Sequence, residues 1–465
     1  MIQIPQLRPY QVQSIDELRE AFKAGHRMVI LVIPTGGGKT TVAAEMIRKS
    51  TELNNRILFL AHRKELVEQA KNRLHTFGIH PGVIMAGWAQ KFRPVMVASQ
   101  QTLIRRALPP ADVIFVDECH HSTSVGFIKI LEQYPKAFII GLTATPYRLD
   151  GKGLGNVGYT HIVAPVTVSE LTEHEHLVPV VYKGVKKDLS DVHITAGDYN
   201  IKELYNKFDK SVLYDGVIDN YNRFAPGSKA IVFNVNVEHS QKMTRIFNEA
   251  GIPCAHIDAE TPALQRAQII EDFRNDKYSV LCNVNLLGEG VDIPAIETVI
   301  LNRSTKSKAL YFQWIGRGLR TAPGKTKCTV IDQGDNYWNH GQVDWEQEYS
   351  LEDQPKKGGG APPIKECPNC LLLQHAGAQT CKECGYTFTA PIHERELPVE
   401  TFEDITDFLP KAYKVKDSKA MPEHLKNKPL EEMTRKELHE VAKARGYKPG
   451  WVHMQMLNRE NQIAA

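Results

Sequence analysis

The chain has 465 residues, 42% of them hydrophobic and 24% charged, with a net charge of +3. That suits an ordinary soluble protein of two to four domains. No apolar run approaches the ~20 residues of a membrane span. Met1 to Tyr10 lacks the basic start and apolar core of a signal peptide, so a cytoplasmic protein with no membrane partner is expected. The small basic excess is uneven. Residues 411–465 hold twelve Lys or Arg against seven Asp or Glu, while the rest of the chain is slightly acidic. Such asymmetry points to a nucleic-acid partner or to a solvated helical tail.

In chain order, the first strong signal is the apolar run Met28–Ile33, which ends in Pro34-Thr-Gly-Gly-Gly-Lys-Thr40. A buried strand, a glycine turn and a helix over Thr40–Lys49 are predicted. Thr35, Gly36, Gly37 and Gly38 would bring backbone N–H groups close to phosphate oxygens. Lys39 would reach the β- and γ-phosphates of ATP, and Thr40 would hold magnesium. Ile33 stands where the strict pattern has its first glycine. Further apolar runs at 57–60, 95–98, 113–116 and 138–142 alternate with helical stretches such as 64–74, which predicts a parallel α/β sheet. The run at Val113 ends in Asp117-Glu118-Cys-His120. Asp117 would bind magnesium, and Glu118 would orient or deprotonate the attacking water.

A second set of strands is predicted at 230–233, 254–257, 280–283, 299–301 and 328–331, with helices over 238–250 and 262–274. In this half lies Gln313-Trp-Ile-Gly-Arg-Gly-Leu-Arg320. Arg317 and Arg320, three apart, would share a helix face and neutralise charge across a cleft. Residues 354–363, Gln-Pro-Lys-Lys-Gly-Gly-Gly-Ala-Pro-Pro, read as a flexible linker. Beyond it, Cys367-Pro-Asn-Cys370 and Cys381-Lys-Glu-Cys384 form two C-x-x-C knuckles suited to one tetrahedral zinc. In the tail, Thr434 and Glu437 suggest a capping box, Leu438, Val441 and Ala442 one helical face, and Gly446 a stop. Tyr447 and Trp451 either stack on bases or pack into the tail's own core.

Together these motifs resemble the superfamily 2 helicases, with the D-E-C-H box and Gln313–Arg320 closest to RadD-like bacterial and phage helicases. Leu7-Arg-Pro-Tyr-Gln11 resembles the adenine-reading motif. Leu60–Leu66 and Val97–Thr102 resemble strand-binding motifs. Leu142-Thr-Ala-Thr-Pro146 resembles the motif coupling hydrolysis to movement. Ile231–Phe233 with His239, and Asn283–Pro294, resemble motifs of the second lobe, although many relatives have Ser or Thr at Asn283. The resemblance covers Ile4 to Gly334. It implies two RecA-like lobes, at 1–165 and 212–345, with a connector at 166–211; the cysteine pairs add a zinc ribbon at 366–390, and the capping and charge pattern a basic helical tail at 430–460. It adds Gln11, Gly290 and Asp292 to the nucleotide site and implies nucleic-acid contacts at His62, Arg63, Ser99, Gln100, Thr143 and Thr145. The implied activity is ATP- and magnesium-dependent movement on DNA, by 3′-to-5′ tracking, in a bacterial or phage-infected cell. An RNA helicase, a motor subunit of a restriction or defence complex, and a non-catalytic zinc-ribbon adaptor are the alternatives. Forked, branched or single-stranded DNA is the expected partner, and the zinc pairs and basic tail are expected to select forked or branched DNA, moving separately from the motor.

Overall fold

Strands that are apolar at every position, not every second one, are buried on both faces and belong to parallel sheets covered by helices. All ten predicted strands form. In the computed structural model the described residues are 4–147, 151–184, 188–195, 197–209, 211–284, 286–287, 293–353, 364–370, 372–375, 377–388, 425, 428–445, 452 and 455–456. The first lobe runs α1 (Pro9–Lys23), β1 (Met28–Val32), α2 (Lys39–Glu52), β2 (Ile57–Ala61), α3 (Lys64–Thr76), β3 (Gly82–Ile84), β4 (Val95–Ser99), α4 (Gln100–Leu103), β5 (Val113–Asp117), α5 (Val125–Leu131), β6 (Phe138–Thr143) and β7 (His161–Val163). Its sheet has the order β3-β4-β2-β5-β6-β1-β7, parallel throughout. Only β6 separates β1 from β5. The glycine loop, the Asp117 turn and Thr143 therefore emerge side by side at the carboxyl edge, where ligands of α/β sheets bind.

The chain continues through α6 (Val168–Glu173), β8 (Val180–Gly184), the hairpin β9 (Ile194–Thr195) and β10 (Asp198–Tyr199), α7 (Ile201–Phe208) and α8 (Ser211–Phe224). Then follow β11 (Ala230–Asn234), α9 (Val237–Glu249), β12 (Cys254–Ile257), α10 (Ala263–Arg274), β13 (Val280–Asn283), β14 (Thr298–Asn302), α11 (Lys308–Gly316), β15 (Cys328–Asp332) and α12 (Asn336–His340). The second sheet, β12-β13-β11-β14-β15-β8, is also parallel. Its edge strand β8 comes from the segment read as connector. Trp314 is fully buried there, 5.2 Å from the Phe233 ring.

Two features join the lobes. One apolar core runs from the first sheet to the second through Leu171, Leu177 and Val178. After the second lobe the chain returns to the first as a strap. Leu351 O accepts from Gly155 N at 2.9 Å, and Asp353 Oδ1 accepts from Gly153 N and Asn156 Nδ2, each at 2.7 Å. Tyr349 and Leu351 pack against the first lobe's outer core.

The cysteine module is a small hairpin of β16 (Ile364–Glu366) and β17 (Leu373–His375). It packs on the second lobe, contrary to the separate movement expected of it. Val181, Cys367, Leu372 and Cys381 share one core, a bridge pairs Lys183 with Leu372, and Lys183 Nζ donates to Cys370 O at 2.9 Å. The physical cause is the exposed edge of β8, which the ribbon covers.

Residues 390–465 form a second unit. Within it, α13 (Arg435–Arg445) starts at the predicted capping box. Glu437 N donates to Thr434 Oγ1 at 3.3 Å, and Thr434 N donates to Glu437 Oε2 at 2.7 Å. Leu438 and Val441 are buried with Leu425, Met433 and Val452. Gly446, Tyr447 and Trp451 lie outside the described residues. No helix among the described residues is long and apolar enough to cross a membrane.

Candidate nucleotide and nucleic-acid sites

The glycine loop links β1 to α2. Gly36 and Gly38 have φ of 88° and 85°, conformations costly for any residue with a Cβ. Space is equally tight: a Cβ on Gly37 would lie 2.5 Å from Ile33 Cγ2, and one on Gly38 would lie 2.5 Å from Gln11 Nε2. Ile33 is fully buried and fills the volume beneath the loop, so a branched residue fits where the strict pattern has glycine. Gln11 braces the loop from α1. Its Nε2 donates to Gly37 O at 3.2 Å, Tyr10 Oη donates to the same oxygen at 2.7 Å, and Gln11 Oε1 accepts from Arg8 N at 3.0 Å. Tyr10 was not singled out from sequence; its place beside Gln11 in the opening motif was the available signal.

Lys39 is the first residue of α2, and its Nζ donates to Ile33 O at 3.3 Å. Its pKa is lowered. Burial is the main cause, Glu118 and Asp117 oppose it, and Arg317 and Arg320 lower it further. Carboxylates of the first lobe and arginines of the second are thus both within electrostatic reach of the Lys39 ammonium. Asp117 ends β5, buried, and its Oδ1 accepts from Glu118 N at 3.1 Å. Glu118 has φ of 46°, so the backbone turns left-handed immediately after Asp117. Glu118 Oε2 lies 3.5 Å from His120 Nδ1, which is 3.1 Å from Thr143 Oγ1. Thr143 Oγ1 also donates to Thr145 O at 3.0 Å.

The arginines come from the second lobe. The helix expected to carry both ends earlier, at Gly316. Arg317 caps it, and Arg320 lies in a bridge with Leu177. Gly318 explains the break, because a Cβ there would strike the Cys328 sulfur on β15. The backbone must run flat against the sheet. Gly316 meets the first lobe: its Cβ would lie 2.5 Å from Thr35 Cβ. Leu177 touches the glycine loop as well, its Cδ2 lying 2.9 Å from where a Cβ on Gly36 would be, and Val178 N donates to Leu319 O at 2.8 Å. The lobes are therefore closed on each other at the phosphate loop.

Few of the residues assigned to strand contact lie on the surface. Thr143 and Thr145 are buried, Ser99 is buried, and Gln100 packs against Gly126 of α5. His62 lies against His121 at 4.3 Å between ring centroids, and His121 against His120 at 4.2 Å. Three imidazoles thus run from the end of β2 to Glu118 and Thr143. Arg63 is exposed in a groove of about 990 Å³ between α3 and α10, where Arg266 of the second lobe pairs with Glu65 of the first at 3.4 Å. Asn283 turns inward, its Nδ2 donating to Val232 O at 2.9 Å. His239 is buried, and its Nδ1 accepts from Val235 N at 3.3 Å. Gly290 and Asp292 lie outside the described residues.

The sulfurs of Cys367, Cys370, Cys381 and Cys384 all lie within 4.8 Å of one another, and two pairs are 3.6 Å apart. Tetrahedral zinc with Zn–S bonds near 2.3 Å needs sulfurs roughly 3.8 Å apart, so the four thiols fit that ion. The second knuckle is a tight turn, in which Cys381 N donates to Tyr386 O at 2.7 Å and Gly385 has φ of 70°.

Residues 4–148 match the family described as the res subunit of type III restriction enzymes, and residues 212–322 match the helicase conserved C-terminal domain. A 51.5 kDa protein of a Lactococcus phage is 33% identical over 372 residues, 79% of this chain and 80% of the phage protein. A Saccharomyces cerevisiae protein, named as a candidate ATP-dependent helicase, Irc3, is 31% identical over 70% of this chain; the match spans 51% of the yeast protein. The DNA 3′-5′ translocase XPB2 of Sulfurisphaera tokodaii is 24% identical over 68% of this chain and 79% of its own. Among solved structures, a fragment of an HsdR subunit of a type I restriction enzyme from Vibrio vulnificus shares the fold, with a TM-score of 0.57 at 24% identity over 71% of this chain and 65% of that one. Two parallel-sheet lobes closed on a glycine loop, with both halves matching helicase families, place the chain in superfamily 2, the helicases that couple ATP hydrolysis to work on nucleic acid.

Proposed function

We propose that this chain is a DNA motor that hydrolyses ATP between its lobes and steps along the strand in a bacterial or phage-infected cell. The observation carrying this reading is the convergence of Lys39, Asp117 and Glu118 with Arg317 and Arg320, across a junction closed at Thr35 and Gly316. Gln11 and the loop of Thr35, Gly36, Gly37 and Gly38 cradle the nucleotide, and Lys39 meets its outer phosphates. Thr40 and Asp117 hold magnesium, which neutralises phosphate charge. Glu118 orients the attacking water, its Oε2 3.5 Å from His120 Nδ1. Arg317 and Arg320 stabilise charge developing on the γ-phosphate, and closure supplies them only when the lobes meet. The four cysteines hold zinc as a structural ion. The groove between α3 and α10 carries Arg63, Arg266 and Arg274, the last two paired with Glu65 and Glu271, which a strand crossing both lobes would have to displace to reach them; such contacts would be to backbone and of low sequence specificity. DNA is favoured over RNA by the similarity to a protein named as a DNA translocase and to a restriction-enzyme family. The restriction family keeps a second reading open, in which this chain is the motor of a complex that cuts DNA through another subunit.

The test measures ATP hydrolysis with single-stranded DNA, duplex DNA, forked DNA and RNA in parallel. Stimulation by DNA is expected. Stimulation by RNA alone would overturn the DNA assignment, and none by any nucleic acid would overturn the motor.

A further inference from the structure

Residues 69–111 contain six Lys or Arg and no Asp or Glu. The fold gathers part of this stretch on one surface of the first lobe. The loop from β3 to β4 exposes Trp88 at 39% and Phe92 at 55%, and the chain after α4 exposes Ile104 and Arg105. Large rings normally go inside, since burying one removes a large apolar area from water. Here the loop is held in place with its rings outward. Arg106 Nη1 donates to Trp88 O at 3.0 Å, Gln90 Nε2 donates to Ala107 O at 3.0 Å, and Arg93 Nη1 donates to His80 O at 2.8 Å. Lys71 Nζ stands 4.7 Å from the centre of the Trp88 ring. The loop leaves the carboxyl end of β3, near the start of α4, and returns along β3 to the amino end of β4, where Arg93 meets His80.

We propose that this surface is an accessory nucleic-acid platform, on which unpaired bases stack on Trp88 and Phe92 while Lys91 and Arg105 meet phosphates. The proposal rests on the motor reading above and deepens it, by placing exposed base-stacking groups where the residues expected to touch the strand are mostly buried. Aromatic rings interleaved with cations, in a stretch of sequence that holds no acid, suit a single strand whose bases are accessible. A buried apolar segment of a protein would instead want a groove without charge.

The experiment uses the full chain and a fluorescent twenty-nucleotide oligothymidylate at several salt concentrations, with thermal melting to verify folding. Trp88→Ala combined with Phe92→Ala should weaken binding about ten- to a hundredfold with little change in salt slope, because stacking displaces no counterions. Trp88→Phe should restore most of it. Lys91→Glu combined with Arg105→Glu should weaken binding and make its salt dependence shallower. A blunt duplex, its bases paired, should respond much less to the aromatic changes. Folded variants that bind the oligonucleotide like the wild type would overturn the platform and leave the motor intact. Wild-type hydrolysis that no nucleic acid stimulates would overturn the motor, while the binding measurements still judge the platform.

Discussion

Glu118 sits at a left-handed turn one residue past the strand that delivers Asp117, so neighbouring carboxylates point to different tasks. Glu118→Gln should therefore retain nucleotide binding and lose turnover, while Lys39→Ala should lose both; nucleotide binding and steady-state hydrolysis measured together check this. Arg317→Ala or Arg320→Ala should lower hydrolysis by about 10³-fold with a much smaller effect on nucleotide affinity. An Arg317→Ala protein hydrolysing at the wild-type rate would remove that residue from the chemistry. The imidazoles of His62, His121 and His120 give a further residue-scale expectation. His121→Ala breaks a packed path from the end of β2 to Glu118 and should reduce the gain in hydrolysis that nucleic acid produces. The reading is the ratio of stimulated to unstimulated rates, which stays unchanged if the stack only fills space.

At the scale of elements, the edge strand β8 decides what the cysteine ribbon is for. An edge strand leaves backbone groups and an apolar face open to other chains. Here the ribbon covers it, with buried Lys183 donating to Cys370 O and Lys327 pairing with Glu383 at 3.0 Å. Four thiolates holding zinc would carry a net negative charge, and the buried Lys183 ammonium, bonded to Cys370 O, would offset part of it. Removing zinc with a chelator, or replacing Cys370 and Cys384 with Ser, should lower the melting temperature of the full chain by about 5 °C or more. Lys183→Met should lower it too, with zinc still bound. One zinc per chain is expected by metal analysis; a reduced protein holding none would remove the ion from this account.

For the whole molecule, the lobes are tied twice, by the connector through Leu177 and by the strap through Leu351 and Asp353. Leu177 touches both the glycine loop and Arg320, so Leu177→Ala should lower the hydrolysis rate more than the nucleotide affinity, by letting the arginine drift. Truncation follows the same logic. A chain ending at 353 keeps the strap but bares β8, and should melt lower and aggregate more readily than one ending at 389. Equal melting temperatures for the two would show that the ribbon adds nothing to the second lobe.

The amino-acid sequence by itself determined the two sheets and named the candidate residues for a nucleotide site. Strands buried on both faces are written as unbroken apolar runs, and a glycine loop between such a strand and a helix has few other uses. Gln11, Lys39, Asp117, Arg317 and Arg320 were therefore legible without coordinates. Short or mixed strands such as Gly82–Ile84 and His161–Val163 carried too little pattern to be seen, and β8 was hidden in the segment read as connector. Only the tertiary structure decided which surfaces face one another. It set the ribbon on β8, returned the strap to the first lobe, and buried Ser99, Thr143 and Thr145. It also stopped the arginine helix at Gly316. These depend on contacts between residues far apart in the chain, where burial is a property of the partner surface and no local periodicity records it.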